Sequence, residues 1–252
     1  GMKRTICLLT VTLLFISSCD LLKKKDNIYD LRVEYQTEPL GLEVKNPRFS
    51  WKIKDTTRNV SQSAYTLLVA SEPSKLKPGK ADIWESGVNE SDKSVFVPYE
   101  GPALKSATPY YWTVMVTDNK GNKLEPAEPS CFETGFFNAS DWQADWISFN
   151  PADHRDKLLV IQSDRPRSIL FRKEFDIPAD IQSARVYVSG LGNYVLYLNG
   201  QKAGNDLLTP GWTDYNVRVQ YQVYDVTALL KKGSNAAGMM MGNMWWSSGL
   251  GW

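Results

Sequence analysis

Two short strings hold residue types suited to sugars. Pro210-Gly211-Trp212-Thr213-Asp214-Tyr215 puts two aromatic rings beside a carboxylate in a turn-rich segment. Asn243-Met244-Trp245-Trp246 puts a side-chain amide beside two indoles. Sugars bind by laying their C–H faces on aromatic rings while polar groups address the hydroxyls. Trp212, Asp214, Tyr215, Asn243, Trp245 and Trp246 are therefore the candidate carbohydrate-binding residues. Residue type alone leaves a second reading open, in which these aromatics fill a core or pack against another domain. No convergent pair of acids is visible, because the carboxylates fall at turns and hairpin ends. No catalytic residue is assigned, and Asp214 is not taken as an acid catalyst.

The composition narrows the rest. The chain has 252 residues, 9 Trp, 12% aromatic and 42% hydrophobic residues, enough for one or two cores. A net charge of +1 excludes a polyanion-binding stripe, so no nucleic-acid partner is expected. One histidine, His154, excludes a histidine-rich metal centre and any triad that needs a second His. In its charged, irregular segment His154 reads as a solvated loop residue. With 3 Cys there is no disulfide framework.

Residues 1–19 read as an export signal. Gly1 ahead of Met2 reads as a cloning remnant, Lys3 and Arg4 are basic, and the apolar run Ile6–Ile16 is too short to span a bilayer. It ends in Ile16-Ser17-Ser18-Cys19, which resembles a bacterial lipobox. That resemblance implies cleavage before Cys19, lipidation of Cys19, and an exported protein held on a bacterial membrane, periplasmic or at the cell surface. Each buried methylene of such an anchor contributes roughly 0.8 kcal/mol. Residues 20–27 read as a polar tether. Cys131 reads as a small buried hydrophobe.

The fold class expected is all-β. Residues 28–137 show short alternating runs cut by Pro, Gly, Asn and Asp, which predicts one β-sandwich. Phe49, Trp51 and Ile53 share one strand face, as do Tyr65, Leu67 and Val69. Leu104-x-Ser106-x-Thr108-x-Tyr110-x-Trp112-x-Val114-x-Val116 predicts a half-buried strand. Its Leu, Thr and Tyr spacing resembles the tyrosine corner of fibronectin type III domains, whose hydroxyl bonds back to the backbone. Asp118-Asn119-Lys120-Gly121 is the expected hairpin turn, and Phe132-Glu133-Thr134-Gly135 the last strand.

Residues 138–166 are expected to be linker and long loop, with Trp146-Ile147 beginning the next domain. Residues 167–252 are expected to form a second β-domain, an incomplete jelly roll. Asn199-Gly200 between strand-like runs predicts a tight hairpin. Val217, Val219, Tyr221 and Val223 alternate as a strand, 225–230 predicts one helical turn closed by Gly233, and Ala237–Gly242 a buried strand. The apolar ending at Trp252 leads us to expect further sequence in a longer protein.

Ordered strings across residues 30–246 resemble the amino-terminal region of bacterial α-L-rhamnosidases. They include Glu38-Pro39-Leu40-Gly41-Leu42, Pro47-Arg48-Phe49-Ser50-Trp51, Ala81-Asp82-Ile83-Trp84-Glu85-Ser86-Gly87, Tyr197-Leu198-Asn199-Gly200, Pro210-Gly211-Trp212-Thr213-Asp214-Tyr215 and Met241-Gly242-Asn243. The resemblance implies a fibronectin-like domain followed by a galactose-binding-like jelly roll. In the family a downstream (α/α) barrel hydrolyses terminal α-L-rhamnose with inversion, using carboxylates that this chain lacks. The partners implied are a rhamnose-containing glycan and a downstream catalytic domain of the same gene product. Some related jelly rolls hold calcium, and Asn205 and Asp206 offer hard oxygens, although two side chains are too few for a site. Where the family reads Gly-Asn-Gly-Trp-Tyr, this chain has Met244 for the second Gly, a bulky side chain at an expected tight turn. A free-standing glycan-binding lipoprotein and a ligand-free spacer are the competing readings.

Overall fold

The computed structural model describes residues 27–148 and 168–247. Cys19, the export signal, the tether, His154 and most of the expected long loop lie outside them. The chain is all-β. Its first eight strands are β1 (Ile28–Val33), β2 (Arg48–Ile53), β3 (Gln62–Ala70), β4 (Trp84–Glu85), β5 (Val97–Pro98), β6 (Pro109–Asp118), β7 (Lys123–Leu124) and β8 (Ser130–Glu133). They form one sheet of order β1-β2-β5 and another of order β4-β3-β6-β7, with β8 also on β6.

The period-2 pattern of β6 sends Tyr110, Trp112, Val114 and Val116 inward, each 3% exposed or less. They meet Phe49 and Trp51 of the opposite sheet; the Phe49 and Trp112 ring centroids lie 4.6 Å apart. Each such side chain contributes roughly 1.5–3 kcal/mol on burial. The Trp51 indole donates to Gln62 Oε1 at 2.9 Å, so its one polar group is satisfied inside the core. The expected tyrosine corner is present, since the Lys105 amide donates to the Tyr110 hydroxyl at 2.8 Å. Buried Thr134 locks the same corner by donating to the Lys105 carbonyl at 2.6 Å. The Asp118 turn closes through Asp118 Oδ1, which accepts the Lys120 and Asn122 amides.

A turn at Glu34-Tyr35 was not expected. Both residues hold positive φ, 48° and 68°, without a Gly or Asn between them. Arg48 holds the turn by a forked pair with Glu34, 2.9 Å from Nε and 2.6 Å from a terminal nitrogen.

The second domain has β9 (Ile169–Ile177), β10 (Arg185–Val188), β11 (Asn193–Leu198), β12 (Gln201–Lys202), β13 (Gln222–Asp225) and β14 (Gly233–Gly242). A four-stranded sheet of order β12-β11-β14-β9 faces a two-stranded sheet, β10-β13. Asn199 and Gly200, at φ 49° and 81°, make the expected hairpin between β11 and β12. The core is Val188, Tyr194, Leu196, Leu198, Ala203 and Val226.

Several expectations are corrected. The alternation from Val217 to Val223 becomes strand only from Gln222, because the Asp214 carbonyl takes the Val217 and Arg218 amides and closes a turn. The predicted buried strand at 237–242 starts at Gly233 and is half-buried, with Met240 49% exposed. Gly233 opens that strand instead of closing the single 3-10 turn at Thr227–Leu229. Trp146 and Ile147 begin no strand and are largely exposed.

The two domains meet through β10 and β13. Arg185 and Tyr187 leave the outer face of β10 and reach Glu133 of β8. The Phe136 amide donates to the Tyr221 hydroxyl at 2.9 Å. The rings of Phe136 and Tyr187 stack at 4.3 Å, and Trp142 stands edge-on to both Phe136 and Tyr221.

Candidate functional site

The segment carrying Trp212 is irregular, so its position depends on side chains that tie it to strands. Thr209, 7% exposed, donates its hydroxyl to the Tyr194 carbonyl at 2.8 Å, and its own carbonyl accepts the Tyr194 amide. Gln222 on β13 donates to the Pro210 carbonyl at 3.1 Å. The loop is thus anchored to both sheets. Asp214 then shapes its far side: its Oδ1 accepts the Asn216 amide at 3.0 Å. Thr213 closes the turn from within by donating to the Arg218 carbonyl.

The second cluster comes directly after β14. Gly192, at φ 120°, lies so close that an added Cβ would collide with the Gly242 carbonyl, so only glycine lets β14 end there. Asn243 then leads into a one-turn helix, α1 (Met244–Ser247), whose Trp246 amide donates to the Asn243 carbonyl at 3.0 Å. Met244 holds φ 36°, in the region where side chains are strained and glycine is at ease. The substitution noted in the sequence therefore falls on a true tight turn.

These two segments converge. Trp212 stacks on Trp245 with ring centroids 5.7 Å apart and planes 13° apart. Tyr215 stands edge-on to Trp246 at 5.5 Å and 83°. Trp212 is 59% and Trp246 50% exposed, so ring surface remains open to solvent on both pairs. The structure brings Trp212, Tyr215, Trp245 and Trp246 together; Asn243 and Asp214 flank them as turn formers. The Tyr215 hydroxyl is buried without a hydrogen-bond partner among the described residues, and burial raises its pKa.

The metal reading gains nothing. Asp206 spends Oδ2 on the Tyr224 hydroxyl at 3.0 Å, and its carbonyl accepts the Lys202 ammonium at 3.1 Å. Among the described residues no three His, Cys, Asp or Glu converge on a metal position. The donor set offered by Asn205 and Asp206 therefore does not fit calcium, which wants six to eight oxygens.

One cavity escaped the sequence reading. A cleft of about 760 Å³ opens beside the paired rings, lined by Trp142, Trp146, Phe171, Met239, Met241 and Trp246 among others. The signal was there in Trp142 and Trp146, but nothing local places a linker tryptophan over a strand of the following domain.

The fold is an immunoglobulin-like sandwich followed by a second β-domain with paired aromatics gathered on its loops. Residues 28–138 match the family described as the Rha78A-like, N-terminal immunoglobulin domain, and residues 179–252 the alpha-L-rhamnosidase N-terminal domain. The chain belongs to the amino-terminal region of the α-L-rhamnosidase family. It is 37% identical to an alpha-L-rhamnosidase of Formosa agariphila over 229 residues, covering 86% of this chain and 24% of that protein. An alpha-L-rhamnosidase of an Alteromonas species is 32% identical, over 97% of this chain and 27% of its own length. The solved α-L-rhamnosidase of Dictyoglumus thermophilum superposes with a TM-score of 0.77 at 37% identity, covering 86% of this chain and 25% of that one. That of Aspergillus terreus gives a TM-score of 0.70 at 30% identity, over 90% and 25%. The chain thus spans about a quarter of the length of these relatives.

Proposed function

We propose that this chain is the non-catalytic amino-terminal part of an exported, lipid-anchored α-L-rhamnosidase, and that its second domain holds rhamnose-containing plant glycans for a catalytic domain downstream. The observation that carries the glycan reading is the meeting of Trp212 with Trp245 and of Tyr215 with Trp246, two aromatic pairs built from distant segments with open ring faces. A deoxysugar suits such a surface, because its C6 methyl adds apolar contact to the C–H face. Asp214 and Asn243 stand at the margins as groups that address hydroxyls. The anchor rests on Cys19, and the relatives named α-L-rhamnosidase support the substrate class.

The test is calorimetric titration of this chain with rhamnose-rich oligosaccharides, beside Trp212→Ala. Binding in the range of about 0.1–1 mM, weakened at least about tenfold in the variant, is expected for a stacking contact of roughly 1.4 kcal/mol. A folded sample that binds no such glycan overturns the glycan reading. Release of rhamnose from an aryl rhamnoside by this chain alone would overturn the non-catalytic reading. A gene that stops near Trp252 would favour a free-standing glycan-binding lipoprotein using the same aromatics.

A further inference from the structure

We infer that the first domain carries a glycan contact of its own, a ring platform formed by Tyr35 and Phe96. The inference rests on the functional reading above in taking the ligand to be a rhamnose-containing glycan, and it adds a second contact surface on the other sandwich.

Val33 and Gln36 exchange both backbone hydrogen bonds, at 2.9 and 3.0 Å, around Glu34 and Tyr35. A two-residue hairpin turn of this kind favours Asn or Gly at both central positions. Here Glu34 and Tyr35 stand at φ 48° and 68°, and Phe96, just ahead of β5, stands at φ 53°. Three side chains in the left-handed region therefore sit in two segments that touch. That region is unfavourable for any residue with a Cβ. Burial does not offset the strain: Tyr35 is 63% exposed, and neither Tyr35 nor Phe96 belongs to the core of the first domain.

What the strained backbone achieves is the placement of two rings. Their centroids lie 4.4 Å apart with planes at 62°. Each segment is clamped from the outer face of the β1-β2-β5 sheet. Arg32 donates to the Tyr35 carbonyl at 2.9 Å, and the Phe96 amide donates to Ser50 Oγ at 3.0 Å. Arg48, forked on Glu34, lies 4.7 Å from the Phe96 centroid and 5.9 Å from that of Tyr35. A ring fixed in advance loses little freedom on binding, and backbone strain that holds an exposed group marks a contact site.

The surround names the class of ligand. Arg48 is paired with Glu34, and Arg32 and Lys52 share Asp30, each at 2.7 Å. With these cations matched, the patch has little charge to offer an acidic polymer. Two rings, about 150–250 Å² each, fall short of the roughly 800 Å² per partner of a standard protein interface. An open ring bordered by the exposed, uncharged Gln36 and Thr37 suits the C–H face of a neutral sugar.

The experiment is a residue-resolved NMR titration of this chain with the same rhamnose-rich oligosaccharides, beside Tyr35→Gly, Tyr35→Phe and Trp212→Ala. Amides of residues 34–37 and 95–97 should shift, with a dissociation constant of about 1 mM. Tyr35→Gly should weaken that binding at least about tenfold while its melting temperature holds or rises by a few degrees, because glycine is at ease in the turn. Tyr35→Phe should keep the binding, since stacking needs the ring and not the hydroxyl. Silent amides at 34–37 and 95–97 overturn the inference, and so do shifts that survive Tyr35→Gly. A clear fall in melting temperature for Tyr35→Gly overturns it too, by making the ring a structural prop. Shifts around Trp212 without shifts around Tyr35 sink this inference alone. Shifts around Tyr35 that Trp212→Ala leaves intact, with none around Trp212, sink the second-domain reading alone.

Discussion

Glu133, 6% exposed at the end of β8, accepts a hydrogen bond from Arg185 Nε on β10 at 2.8 Å, so a buried carboxylate of the first domain is neutralised by the second. Arg185 also reaches Asp225 at 2.9 Å, and Tyr187 donates to the other oxygen of Glu133 at 3.3 Å. Removing one partner of a buried pair leaves a charge without compensation, at a cost of about 3–5 kcal/mol when burial is complete. Arg185 keeps 24% of its side chain exposed, which lowers the expectation to about 2–3 kcal/mol for Arg185→Met. Glu133→Gln should cost less, because the amide oxygen still accepts from Arg185. A denaturant-melt double-mutant cycle checks this: additive losses would mean that the pair is idle.

Tyr187 and Tyr221 make the same interface sensitive to alkali. Burial, with Glu133 adding to it for Tyr187, pushes both hydroxyls up to about 12. A phenol whose folded pKa is raised favours the folded state while it stays protonated. Its contribution is complete below pH 10, the ordinary phenol value, and is lost as pH rises toward 12. Melting temperature should fall over that window more steeply than for Tyr187→Phe or Tyr221→Phe. Parallel pH profiles for the three proteins would contradict the assignment.

Met244 stands at φ 36° between β14 and the paired tryptophans. A side chain in the left-handed region costs about 1–2 kcal/mol, part of which glycine returns as chain entropy on folding. Met244→Gly should therefore stabilise by about 0.5–1 kcal/mol, read as a rise in melting temperature of a few degrees. A drop in melting temperature would show that the thioether packs usefully enough to outweigh its backbone strain.

Tyr215 buries a hydroxyl that no described residue satisfies. An unsatisfied buried hydroxyl costs about 1–3 kcal/mol, so Tyr215→Phe should leave stability unchanged or raise it by up to about 1 kcal/mol. A buried hydroxyl lies out of a glycan's reach, so the same variant should keep its affinity. Calorimetry and thermal melts on one preparation separate the two effects; a clear loss of stability would show the hydroxyl to be satisfied.

The residues explain which parts of this architecture a reader of the sequence can foresee. The Tyr110 corner and the Asn199-Gly200 hairpin are local, set by period-2 alternation and by residues that tolerate positive φ. The Glu34-Tyr35 turn is opaque, because neither residue favours positive φ and the clamp comes from Arg48, 14 positions away. At the site, the types of Trp212, Tyr215, Trp245 and Trp246 were legible while their pairing was not: it depends on Thr209 and Gln222 tying the loop to two sheets. Asp214 was read as a polar contact, and the structure also employs it to close the turn that cuts short the Val217–Val223 strand. The Glu133–Arg185 pair joins positions 52 apart, beyond the reach of any periodicity.

Trp142 stands edge-on to both Phe136 and Tyr221, and the three rings form one cluster where the two sandwiches touch. Rotation of one sandwich against the other would have to part those rings first. The contact between the sandwiches therefore resists twisting through ring packing as well as through the Glu133–Arg185 pair.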